Sequence, residues 1–174
     1  MKLKYSFLIT LITLVLSGCD SSSQNAEAKS GATASPTVRT EISSKKVDPI
    51  KELVTVYKSP TCSCCGRWIT HLKANGFQVN VVNVNDVTPF KKNAGLTPAL
   101  ASCHTAFVGN YVVEGHVPAR EIKRLLKEKP DIKGLAVPGM PMGSPGMEMG
   151  NKKDPHDVLS IDKNGKTKVY QSYR

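Results

Sequence analysis

The sequence predicts one mixed α/β domain with the element order β-α-β-α-β-β-α, followed by a methionine-rich loop and a closing β-hairpin. Three observations predict it. Apolar, β-branched runs at Leu53–Tyr57 and Phe77–Val84 flank a stretch of helical periodicity, as in a parallel β-α-β unit. Two further apolar runs, Thr105–Val108 and Tyr111–Glu114, lie on either side of Gly109-Asn110, a hairpin turn. An amphipathic segment begins at Pro118, a residue suited to the first position of a helix. With 174 residues and 40% hydrophobic content, the chain holds one such domain plus appendages and can bury a core without covalent staples.

The chain opens with Lys2 and Lys4, then an apolar stretch from Phe7 to Leu16, then Leu16-Ser17-Gly18-Cys19. A charged start, a short apolar run and small residues form a secretory signal rather than a membrane span. Small residues followed directly by cysteine resemble the lipoprotein box of bacteria. That resemblance implies cleavage after residue 18 and acylation of Cys19, which would anchor the protein to a membrane. Asp20 resembles the inner-membrane retention signal of enteric-type bacteria. Residues 19–50 are rich in Ser, Ala, Thr and Lys without hydrophobic periodicity, and read as a flexible tether before the domain at 51–174. The expected location is the cell envelope, on the periplasmic side, where disulfides can form. The net charge is +10: +2 in residues 1–18, zero in 19–50 and +8 in 51–174. No Lys/Arg run is interleaved with aromatics, and with the expected compartment this argues against nucleic acid as a partner.

The first strand leads into Ser59-Pro60-Thr61-Cys62-Ser63-Cys64-Cys65-Gly66, three thiols within four residues. Trp68, Ile69 and Leu72 then recur at helical spacing until Asn75-Gly76. Thiols at a helix N-terminus are biased toward thiolate by the exposed amides and the dipole, so this turn is reactive or metal-binding. A structural disulfide is the disfavoured reading, because adjacent Cys64 and Cys65 and the tight Cys62–Cys64 loop are poor staples. After the second strand, Asp86 caps a short helix over 87–94, and 95–100 is a turn or a single helical turn. Cys103-His104 precedes the third strand. The last helix carries Ile122, Leu125 and Leu126 as its apolar stripe, with Arg120, Lys123, Arg124 and Lys127 on its solvated face.

Beyond that helix, every methionine except Met1 falls between Met140 and Met149, at 140, 142, 147 and 149. Pro and Gly forbid a helix there, so the segment is a loop. Thioethers are soft donors that suit copper(I) or silver(I); the alternative is that they pack the loop on the core. Val158–Asp162 and Thr167–Tyr170, around Asn164-Gly165, read as a hairpin added to a sheet edge.

The element order resembles the thioredoxin arrangement, and Val56–Cys65 resembles the opening of a glutaredoxin, with Cys62 and Cys65 at its Cys-x-x-Cys positions. Thioredoxin-like oxidoreductases place a cis-proline before the third strand; Ser102-Cys103-His104-Thr105 stands there instead. If the fold holds, Cys103 lies over Cys62, Cys64 and Cys65. Four stretches together, Pro60–Gly66, Ala101–Ala106, Val113–Ala119 and Gly134–Pro141, resemble the thioredoxin-like CopG-type proteins of bacterial copper-resistance clusters. The resemblance covers about residues 51–150. It implies an extracytoplasmic copper-handling role, with Cys62, Cys64, Cys65 and Cys103 as metal ligands.

Copper(I) prefers two or three thiolates, and four exceed the need of one ion, so a small thiolate-bridged cluster is an option. His104 and His116 are candidates to ligate or to orient the thiols, and Met140, Met142, Met147 and Met149 to add thioethers. His71 is set aside as a half-buried polar residue, and His156 is a weak candidate. Thiols beside bound copper can exchange electrons with it, so the protein could also oxidise copper(I) to copper(II), or cycle between dithiol and disulfide. The competing reading is a glutaredoxin-like thiol-disulfide oxidoreductase, with Cys62 as nucleophile and Cys65 resolving. Zinc is a third option, against which the tight thiol spacing argues. A copper efflux pump or a multicopper oxidase would be the natural partner for a protein that passes copper on.

Overall fold

The computed structural model describes residues 50–174. The predicted signal peptide, Cys19 and the tether lie outside the described residues. Within them the elements run β1 (Ile50–Lys58), α1 (Ser63–Ala74), β2 (Phe77–Asn83), α2 (Thr88–Asn93), one 3-10 turn (Pro98–Leu100), β3 (His104–Val108), β4 (Tyr111–Glu114), α3 (Ala119–Glu128), β5 (Gly134–Ala136), β6 (His156–Ile161) and β7 (Thr167–Tyr173). All seven strands join one sheet in the order β2-β1-β3-β4-β5-β6-β7. This is the mixed α/β architecture expected, with β1 parallel to β2 and antiparallel to β3. No helix among the described residues is long and apolar enough to cross a membrane.

Alternation along the strands divides the sheet into two covered faces. Val54 and Val56 of β1, Val113 of β4 and Leu135 of β5 face α1 and α3, where Trp68, Leu72, Ile122 and Leu125 are fully buried. Their neighbours Val112 and Ala136 face the other way, and form a smaller core with Leu96, Leu100 and Ile161. On that second face Tyr57 stacks on Phe90 of α2, ring centroids 3.9 Å apart.

Four expectations need correction. Pro118 is the cap before α3, not its first residue, and its extended backbone (ψ 142°) starts the helix at Ala119. Arg124 is not on the solvated face: its guanidinium lies 3.8 Å over the Tyr170 ring and donates to the Tyr170 carbonyl, because β7 folds back across α3. His104 belongs to β3 rather than preceding it, as the partner of Lys58 across the β1–β3 ladder. Residues 134–136, which the predicted element order leaves without a strand, form β5 between β4 and β6. A β-carbon on Gly134 would collide with the Val112 carbonyl oxygen, so only glycine allows the two strands to close there.

Candidate metal centre

Two segments far apart in sequence build the centre. The first is the junction of β1 and α1. Cys62 caps α1 in extended conformation (φ −74°, ψ 96°), and its Sγ accepts the Cys65 amide proton at 3.3 Å. The second is the approach to β3. Because β1 and β3 pair with Lys58 opposite His104, Cys103 is delivered beside the cap. The four sulfurs of Cys62, Cys64, Cys65 and Cys103 all lie within 4.8 Å of one another. Cys64 Sγ is 3.4 Å from Cys62 Sγ and 3.8 Å from Cys103 Sγ, and Cys65 Sγ is 3.4 Å from Cys103 Sγ.

Cys62 and Cys65 are joined by a disulfide, while Cys64 and Cys103 are free thiols. This corrects the expectation of no disulfide at the turn, which holds for the Cys62–Cys64 and Cys64–Cys65 pairs but not for Cys62–Cys65. One helical turn between Cys62 and Cys65 brings their Cα atoms to 5.4 Å, an ordinary disulfide span. Each sulfur of the bond therefore has a free thiol next to it.

Cys103 also meets two imidazoles. His116 Nε2 is 3.1 Å and His104 Nδ1 3.3 Å from its Sγ. His116 donates Nδ1–H to the Pro145 carbonyl at 2.8 Å, which leaves Nε2 with its lone pair toward the sulfur. His104 is fully buried, its ring centroid 4.3 Å from that of Trp68 and 5.0 Å from that of His116. Its Nε2 is buried with no hydrogen-bond partner. Burial, and then the charge of Cys64, push the Cys103 thiol up to about 12. Burial holds His104 well below the usual imidazole range and lowers His116 as well, so both rings are neutral and able to donate a lone pair to a metal.

The methionine loop closes over the cap through its backbone. Gly146 (φ +86°) lies so close to α1 that a β-carbon would fall 2.7 Å from Cys64 O and from Trp68 N. Arg67 Nε donates to the Gly146 carbonyl at 2.8 Å. The thioethers differ in exposure: Met140 and Met149 are exposed, and Met142 and Met147 are half-buried. Met142 lines a small cavity together with Asp154, His156 and Tyr173. His71, set aside on sequence, accepts the Ala119 amide proton through Nε2 at 3.1 Å.

One buried group near the centre escaped the sequence reading. Glu114, at the end of β4, is completely buried and accepts from Lys91 Nζ, the Ser102 amide at 2.6 Å and Thr105 Oγ at 2.7 Å. An acid ending a strand reads as solvent-facing. The signal available was its place between two β-branched residues and the Gly115-His116 pair.

Four sulfurs and two neutral imidazoles, with no carboxylate in either cluster, form a soft donor set. Once the Cys62–Cys65 bond is reduced, such a set fits a soft metal such as copper and disfavours magnesium or calcium. Comparison with known proteins points the same way. A model of a family described as protein of unknown function, DUF411, matches residues 100–147. No curated protein matches the chain. Two solved structures of copper resistance protein CopG are similar to it. Form 2 is 40% identical with a TM-score of 0.69, covering 73% of this chain and 100% of that one. Form 1 is 41% identical with a TM-score of 0.67, covering 72% of this chain and 98% of that one. With identity of that level over the whole length of the solved relative, this chain belongs to the CopG family of copper resistance proteins.

Proposed function

We propose that the chain is an extracytoplasmic copper-binding protein serving copper resistance or homeostasis, and that Cys62, Cys64, Cys65 and Cys103 hold copper(I). The observation that carries this reading is the convergence of four sulfurs from two distant segments within 4.8 Å. Reduction of the Cys62–Cys65 bond frees the full donor set. His116 and His104 then bind copper or orient the thiolates, and the soft thioethers of Met140, Met142, Met147 and Met149 supply further sites on the loop above. Four thiolates favour a bridged cluster over a single ion. Anaerobic copper(I) titration of the reduced protein, with thiols counted in parallel, tests the reading. Serine at any of the four cysteine positions should lower the copper stoichiometry; unchanged binding in all four variants would remove the proposal. Zinc rather than copper after anaerobic purification would also count against it.

The disulfide supports a second, redox reading. A Cys62–Cys65 bond can take one electron from each of two copper(I) ions, giving two thiolates and two copper(II) ions. Under this reading the protein converts copper(I) to copper(II), and Cys62 and Cys65 are its redox pair. Exposing the oxidised protein to copper(I) without oxygen should yield copper(II) signal and two new thiols per protein. A glutathione-dependent disulfide reductase activity that survives copper chelation would favour the glutaredoxin-like alternative instead.

We further propose that Cys19 is acylated and holds the protein to the periplasmic face of the inner membrane, from which it passes copper to an efflux pump or a multicopper oxidase. Cys19→Ser should release the protein from the membrane fraction. Retention of that variant in the membrane would contradict the anchor, and failure of copper transfer in a purified pair would eliminate the partner tried.

A further inference from the structure

We propose that Glu114 is the positioning residue for Cys103, acting with Lys91 through the residues on either side of the thiol. The proposal rests on the copper reading above, and it explains how one of the four sulfurs is held in place. Cys103 precedes β3, which begins at His104, so no rung of the β1–β3 ladder fixes it. The Glu114 carboxylate spans that gap. One oxygen accepts the Ser102 amide at 2.6 Å, on the N-terminal side of the Cys103-His104 pair. The other accepts Thr105 Oγ at 2.7 Å, on the C-terminal side. A fully buried carboxylate is costly unless it is paired and hydrogen-bonded. Lys91, itself nearly buried (12% of its side chain exposed), supplies the charge and also donates to Thr105 Oγ at 3.0 Å.

The two residues after Glu114 complete the brace. Gly115 (φ +70°) approaches so closely that a β-carbon would fall 2.6 Å from Ser102 Cβ and Oγ and from the Val137 carbonyl. Its amide donates to the His104 carbonyl at 3.2 Å. His116 then places Nε2 3.1 Å from Cys103 Sγ. Residues 114, 115 and 116 thus anchor, approach and touch the 102–105 segment in turn. The Cys103 sulfur sits 3.4 Å from Cys65 Sγ and 3.8 Å from Cys64 Sγ. Metal–sulfur bonding tolerates only a few tenths of an ångström of error, so loosening the Ser102 anchor should disturb the centre although no ligand is changed.

The test uses Glu114→Gln, which keeps shape and one acceptor but removes the charge facing Lys91. In the full chain, copper(I) affinity from competition titration should fall by about 10- to 100-fold. In a Cys103→Ser background the same substitution should leave affinity unchanged, because the residue acts through that sulfur. An equal loss in both backgrounds would mean general destabilisation and overturn the proposal. A metal-free readout separates this proposal from the copper reading. In Cys62→Ser/Cys65→Ser, which leaves Cys64 and Cys103 as neighbours, Glu114→Gln should slow diamide-driven closure of the Cys64–Cys103 bond by about tenfold or more. An unchanged closure rate in folded protein overturns the proposal whatever copper does. If the wild-type chain binds no copper, the copper reading fails and the closure rate still decides this one. Should Glu114→Gln not fold, Thr105→Val decides instead: it removes one arm of the brace, and should shift the closure rate in the same direction by a smaller factor. No shift there overturns the idea equally.

Discussion

Replacing Gly146 with alanine should loosen the lid over the sulfurs, and the cost can be worked from the geometry. At φ +86° an L-residue pays a backbone penalty of about 1–2 kcal/mol. The new β-carbon would also stand 2.7 Å from Cys64 O and Trp68 N, both main-chain atoms of the rigid first turns of α1. The loop must therefore retreat by several tenths of an ångström. That retreat stretches two hydrogen bonds of 2.8 Å, Arg67 to the Gly146 carbonyl and His116 to the Pro145 carbonyl. Losing or weakening these adds about 0.5–1.5 kcal/mol each, for a total near 2–5 kcal/mol. In a domain of this size the melting temperature should fall by roughly 10 °C. Gly66→Ala is the control. It lies on α1 four residues from Thr70, a β-carbon there meets nothing within 4 Å, and alanine should stabilise the helix by about 0.5–1 kcal/mol. Thermal melts of the reduced, metal-free proteins read both effects. Equal melting temperatures for Gly146→Ala and wild type would refute the argument that the loop is pressed onto the cap.

Three other outcomes are expected. Metal-free protein should lose stability in acid. His71, His104 and His116 are all lowered by burial, so the unfolded chain binds more protons than the folded one; their contribution is complete above the unfolded value of about 6.5 and is lost as pH falls through it. Melting temperatures that stay flat from about pH 7.5 to about pH 5 would contradict this, and His71→Gln should shrink the slope. Leu125→Ala, at a fully buried position of α3, should cost about 2–5 kcal/mol in denaturant unfolding; a loss under about 1 kcal/mol would place α3 outside the core. Arg124→Ala removes the cation over Tyr170 and the donor to its carbonyl, at a site one-third exposed, and should cost about 1 kcal/mol while speeding hydrogen exchange in β7. Unaltered exchange there would mean that α3 does not hold the hairpin.

How far the sequence could be read depended on how local each feature is. The β1–α1 junction was legible because its strand, cap and helix follow one another without a gap; at α2 the expected start was one residue early, since Val87 is the cap of Thr88–Asn93 and Asp86, one residue before it, accepts the Thr88 amide at 2.8 Å. β5 was not, since three residues carry no periodicity and become a strand only by pairing with Val112–Glu114 on one side and Leu159–Ile161 on the other. Arg124 reads as solvated until a strand more than forty residues later covers it. The choice among thiol pairings in Cys62-Ser63-Cys64-Cys65 depends on side-chain direction at the first helical turn, which spacing does not specify. Glu114 was missed for the same kind of reason: its partners, Lys91 of α2 and Ser102 and Thr105 around the start of β3, come from two other segments.

The pairing of Lys58 with His104 has a consequence for how the chain matures. Sliding β3 by one residue would turn every side chain to the opposite face, and Cys103 would lose its neighbours. The quartet of sulfurs therefore exists only after two segments about forty residues apart have zipped in the correct alignment. An ion that needs all four binds the finished structure and ignores the nascent chain, adding about 2.7 kcal/mol to its persistence at a hundredfold excess over the dissociation constant. Proteolytic lifetime in the host would then track free metal, so that the molecule endures longest when there is most for it to capture.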